Sequence, residues 1–213
     1  MAAAAATGTT HVLDSYYLAI TALVTLAYQL LFFTAAFALQ TDKLTDVAGG
    51  TNFAILAVLT LSLRHAATAR PVVASLLLIV WALRLAGFLL FRILRTGRDD
   101  RFDDKRHRFL PLLGFWTAQM LWVWTVSLPV TVLNSPAVAA YPQADFGTGR
   151  DIAGLVMYAV GFFFEAVSDV QRYRFRKTRA DEGAVCDGGF FAFSRHPNYF
   201  GEIIIHFGKS ALV

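Results

Sequence analysis

Only one cysteine, Cys186, occurs in the 213 residues. That excludes a disulfide within the chain and leaves no thiolate cluster for zinc or iron–sulfur. Charge is also scarce: Asp, Glu, Lys and Arg make up 16% of the chain, against roughly 25% in soluble domains. Residues 134–149 contain no Lys or Arg at all. The N-terminus has neither the basic start of a secretory signal nor the arginines of a transit peptide, so the first apolar stretch is expected to stay in the mature protein. What fills the chain instead is hydrocarbon, 56% hydrophobic residues with a mean hydropathy of +0.52. These values imply an integral membrane protein. The net charge of +4 does not point to nucleic acid, because the positives sit in short segments beside apolar runs, as in membrane loops.

Crossing the hydrocarbon core takes about 20 apolar residues per helix. Tyr16–Leu39, Pro71–Leu94, Leu110–Leu133 and Ile152–Val170 meet this cleanly, and the shorter Val47–Leu63 is expected to span as well. The fold class is therefore an all-α polytopic membrane bundle of about five full transmembrane helices plus a partial last helix. As a single membrane domain it divides into a tail (1–14), transmembrane helices (15–170), a basic and polar segment (171–202) and the partial helix (203–213), which looks cut short at Val213. Two arginine-rich stretches, Phe91–Arg108 and Arg172–Arg179, are two crossings apart and so lie on one side, cytoplasmic by the positive-inside rule. Arg64 and Arg70 then lie outside, against the rule.

Polar groups at membrane depth mark function by default. Arg84, within Pro71–Leu94, requires either a carboxylate partner or an anion. Glu165 and Asp169 lie four apart on one helix face, and Arg172, Arg176 and Lys177 follow as the helix leaves the apolar run. Asp99, Asp100, Asp103 and Asp104 resemble magnesium-binding aspartates, but the interleaved arginines favour a solvated, self-neutralising loop. Tyr16, Tyr17 and Tyr28 read as core or interfacial aromatics. The most polar stretch runs from Asp187 to Glu202. Its Asp187-Gly188-Gly189 is a tight turn, Phe190 and Phe191 are candidates for insertion at the interface, and Arg195 to Glu202 gathers five different polar side chains. Pro197 removes a backbone N–H and biases His196 to extended geometry, placing Asn198, Tyr199 and Glu202 in the first turn of the last helix. Glu202 and His206, four apart, make too small a set for a metal, and a contact between them within the helix is expected.

Gly161-Phe-Phe-Phe-Glu165-Ala-Val-Ser-Asp169, Arg176, Asp187-Gly-Gly-Phe and Ser194-Arg-His-Pro-Asn-Tyr-Phe-Gly-Glu202 together resemble the steroid 5α-reductase C-terminal family, and in particular its DUF1295 branch. Asp42–Phe53, Trp81-Ala-Leu-Arg84-Leu and Gly97-Arg-Asp-Asp-Arg101 are similar to that branch too. The resemblance implies a multi-helix membrane fold with NADPH in a polar, cytoplasm-facing cavity and hydride transfer to a conjugated double bond of a small lipophilic substrate. It implies cofactor contacts at Asp169, Arg176, Asn198 and Glu202, with Tyr199 and Gly201 alongside, and Arg195 and His196 belong to the same polar segment. The catalytic acid is not implied for any residue. The alternatives are a membrane methyltransferase using S-adenosylmethionine, whose Arg-His-Pro-x-Tyr stretch is similar, and a non-catalytic truncated isoform. The expected setting is the endoplasmic reticulum of a eukaryote.

Overall fold

The computed structural model describes residues 10–64, 68–97, 102–179, 181 and 183–213. Its helices are α1 (Leu18–Ala38), α2 (Lys43–Leu63), α3 (Ala69–Thr96), α4 (Phe109–Asn134), the one-turn α5 (Pro136–Ala139), α6 (Gly149–Thr178) and α7 (Pro197–Ala211), with a 3₁₀ turn at Gly189–Ala192. Five spans, α1, α2, α3, α4 continued by α5, and α6, are long and apolar enough to cross a membrane. The protein is an all-α, multi-pass membrane protein. It groups into two compact units, Met1–Asp145 and Phe146–Val213.

In the first unit the usual distribution of a soluble bundle is inverted. The buried face of α1 is Thr21, Thr25, Gln29, Phe33 and Ala36, while Leu23, Leu26, Leu30 and Leu31 are exposed. Leucine outside and hydroxyl or amide inside is what a lipid solvent selects, since polar groups there can only be satisfied by a neighbouring helix. Gln119 Nε2 on α4 donates to Gln29 Oε1 at 3.0 Å and to the Thr45 carbonyl at 3.1 Å, and Gln29 Nε2 donates to Asn52 Oδ1 at 3.0 Å. Further along, Asn134 Nδ2 donates to Thr60 Oγ1 (2.9 Å) and Ser75 Oγ (3.1 Å). Between these amide groups sits an edge-to-face aromatic cluster of Phe53, Trp81 and Trp122, with centroids 5.0–6.4 Å apart.

Several charges that stand out in the sequence are used in the fold. Arg64 is 5% exposed and donates to the Leu133 carbonyl at 2.6 Å, so it serves the C-terminal end of α4 and is not a loop charge. Arg70 donates to the carbonyls of Ala144 (2.9 Å) and Asp145 (3.3 Å). Asp42 and Asp46 at the start of α2 pair with Arg106 (2.7 Å) and Arg92 (3.3 Å). Asp104 pairs with Lys105 and Asp103 with Arg106, the self-neutralising loop expected, while Asp99 and Asp100 lie outside the described residues. Arg84 is half-buried on α3. Of the tyrosines, Tyr17 is fully buried, its hydroxyl donating to the Thr10 carbonyl at 2.7 Å, and Tyr28 shares a hydrogen bond with Thr51. Asp14 accepts from the N–H groups of Tyr16, Leu18 and Ala19 and so caps α1 from outside it.

The second unit is a helical pair. α6 overruns the expected Ile152–Val170 at both ends. A Thr148–Asp151 capping box starts it, and it continues through Arg172–Lys177, where cations suit a helix C-terminus. α7 starts at Pro197, whose missing N–H costs nothing in the first turn, so Asn198, Tyr199 and Glu202 stand at its start as expected and the apolar run from residue 203 continues the same helix.

Candidate functional site

α6 and α7 pack antiparallel through glycines seven residues apart on each helix. A Cβ placed on Gly201 would lie 2.6 Å from the Gly161 carbonyl and 2.6 Å from the Glu165 nitrogen, and one on Gly208 would lie 2.7 Å from the Gly154 carbonyl. No side chain fits at these crossings, so the backbones touch and the register of the pair is set. Along the seam, Asn198 and Glu202 on α7 are half-buried beside Gly201, and Glu165, 3% exposed, faces them from α6. Asp169, half-buried, follows Glu165 by one turn. Arg172 and the exposed Arg176 continue the same face, Arg176 lying about 10 Å beyond Asp169 along the axis.

The turn that delivers α7 is fastened to α6. Gly189 has φ +62°, and the Gln171 side chain occupies the space a Cβ would need there. Gln171 Oε1 accepts from the Phe190 N–H at 3.1 Å. Phe190 stacks on Phe164 with centroids 4.5 Å apart, and Phe191 is 8% exposed. Both rings pack within the protein, where insertion at an interface was the sequence expectation.

Of the predicted site residues, the fold brings Asn198, Gly201, Glu202 and Asp169 to the α6–α7 seam. Arg176 stands at the end of α6. Arg195, His196 and Tyr199 are exposed, with the His196 and Tyr199 rings stacked at 5.0 Å on the outer side of the first turn of α7. Asn198 Oδ1 is buried and accepts no hydrogen bond from the described residues, and neither does Ser168 Oγ in the same seam make one. Glu202 Oε1 lies 3.8 Å from His206 Nε2, the within-helix contact expected. Lys209 was missed. It is 2% exposed, and both Glu202 and Glu165 attract its charge. The spacing Asn198, Glu202, His206, Lys209 was a legible signal, since intervals of four, four and three residues stay on one helix face.

A family model described as a protein of unknown function (DUF1295) matches residues 32–212. No curated protein and no solved structure matches the chain.

Proposed function

The chain belongs to the DUF1295 family, and from that premise we propose that it is a membrane-embedded reductase that uses NADPH to reduce a conjugated double bond in a lipid or steroid-like substrate. The observation that carries this reading is Asn198 Oδ1, a buried carbonyl oxygen without a donor among the described residues. Leaving such a group unpaired costs about 1–3 kcal/mol, and a primary carboxamide such as that of nicotinamide offers the N–H it lacks. The donor set fits the rest of the cofactor. Asp169 and Glu202 can accept from ribose hydroxyls, and Arg176 suits a phosphate near the helix end. When bound, the dinucleotide supplies the hydride. The residues of this chain orient it, and the glycine contacts between α6 and α7 leave no room for water at the crossing.

In this reading the basic stretches and the Asp187–Glu202 segment face the cytoplasm, in a membrane such as the endoplasmic reticulum. Arg64 and Arg70, the two cations at odds with that orientation, are used on carbonyl oxygens and do not act as loop charges. Cys186, the single thiol, lies in the connection between α6 and α7. It is expected to react with a membrane-impermeant maleimide added to the cytoplasmic side of sealed vesicles, and protection there would reverse the orientation.

The test of function is binding of NADPH, NADH and S-adenosylmethionine to the 213-residue protein in nanodiscs. NADPH-selective binding, weakened about tenfold by Asn198→Ala or Arg176→Ala with membrane insertion unchanged, is the expected result. Binding of S-adenosylmethionine alone would replace the reductase with a methyltransferase, and unchanged NADPH affinity in both variants would remove these residues from the site.

A further inference from the structure

We propose that Lys209 is a positioning residue, the shared counter-ion that lets the carboxylates of Glu165 and Glu202 stand together at the α6–α7 crossing; its bearing on cofactor binding rests on the reductase reading. The geometry starts with the glycine contact. A Cβ on Gly201 would lie 2.9 Å from Glu165 Cβ, so Glu165 and Glu202, the next residue after Gly201, leave facing helices at one point of closest approach. Glu165 is 3% exposed and the Glu202 side chain 29%. Two carboxylates so placed repel each other, and more strongly than in water because little solvent screens them. Lys209 lies two turns beyond Glu202 on the same face of α7. Helical side chains lean toward the N-terminus, so its long stem runs back toward Glu202 and the crossing.

At 2% exposure the ammonium is withdrawn from solvent, and it interacts electrostatically with Glu202 and Glu165. His206 lies beside Glu202 at 3.8 Å, and on α6 the neighbouring titratable group along the seam is Tyr158, 7% exposed. A buried cation at this depth is otherwise strongly disfavoured, so its retention is explained by the two acids it serves. Without Lys209 two acidic groups would confront each other across a glycine contact that leaves no room to separate. Glu202, the acceptor assigned to the cofactor, would then lose its position.

The experiment compares wild type, K209R, K209M, E165Q and E165Q/K209M in nanodiscs by NADPH affinity and by melting temperature. K209M is expected to weaken NADPH binding about tenfold or more, K209R to retain most of the affinity, and E165Q added to K209M to recover both affinity and melting temperature because one of the two repelling acids is gone. A side chain that merely filled space would not be rescued by E165Q. NADPH affinity of K209M within about twofold of wild type, or a further loss on adding E165Q, overturns the proposal. If wild type binds no NADPH, the reductase reading falls, and the melting-temperature cycle alone decides. Recovery in the double variant supports the counter-ion, and additive losses overturn it.

Discussion

Both units bury polar side chains between their helices, but they bury different kinds. Between its helices the first unit uses neutral amides and hydroxyls: Gln29, Asn52, Gln119, Thr60, Ser75 and Asn134 bond to one another across α1–α4, and its buried charges, Asp42 and Arg64, lie at the two ends of α2 on a counter-ion and a carbonyl. The second places ionisable groups, Glu165, Glu202, His206 and Lys209, at a glycine-packed crossing. Neutral amides satisfy each other at modest cost and hold helices in place, whereas buried charges cost several kcal/mol per ion and persist where they are used. Under the proposed function the first unit is the scaffold and the second holds the site.

The most direct way to break this contrast is Gly201→Leu. With 2.6 Å available to a Cβ, the helices must separate, and a loss of about 3 kcal/mol or more is expected together with all NADPH binding. An unchanged melting temperature would show that the charged seam is not held by its glycines. Gln29→Leu probes the other unit. It strands Asn52, whose Nδ2 already lacks a partner among the described residues, and leaves Gln119 with its bond to the Thr45 carbonyl, and should cost about 1–3 kcal/mol. NADPH affinity should stay within about twofold of wild type, and if it collapses the division into scaffold and site is wrong.

Arg64→Leu removes the charged donor on the Leu133 carbonyl and is expected to lower stability by about 1.5–3 kcal/mol, read in the same unfolding assay. The smallest effect belongs to Asp14. Desolvation raises its pKa, but the N–H groups of Ala19, Tyr16 and Leu18 outweigh this, and the carboxyl sits below its ordinary value of 3.8. A carboxylate depressed in the folded state stabilises above its unfolded pKa, and the contribution disappears as pH falls through the folded value. Solvent screening at this exposed position limits it to at most about 0.5 kcal/mol. Asp14→Asn should therefore lower the melting temperature slightly at neutral pH, by an amount that shrinks as pH falls below the ordinary carboxyl value of 3.8; a difference that does not shrink in acid would assign the effect to something other than charge.

Much of this was readable before any coordinates. Five apolar runs of sufficient length became five helices, because in lipid a helix is the only open-ended way to satisfy a backbone. Pro197 placed the start of α7, and the intervals among Asn198, Glu202 and His206 put them on one face. The polar face of α1 was equally legible in Thr21, Thr25 and Gln29 at intervals of four, although only the neighbouring helices show that this face is the inner one. Arg64 misled, because a cation beside an apolar run looks like a loop charge, and nothing local reveals that a carbonyl 69 residues away accepts its hydrogen bond.

By itself the sequence determined the class of molecule, its number of apolar helices and which polar residues of the last helix share a face, since hydropathy and helical period act over one turn to one span. Only the tertiary structure decided that Gly161 meets Gly201, that Glu165 and Glu202 emerge at the same crossing, and that Lys209 is buried where both act on its charge. The physical reason is that the worth of a buried polar group depends on its partner, and partners on different helices are chosen by packing in three dimensions, which a one-dimensional pattern does not encode.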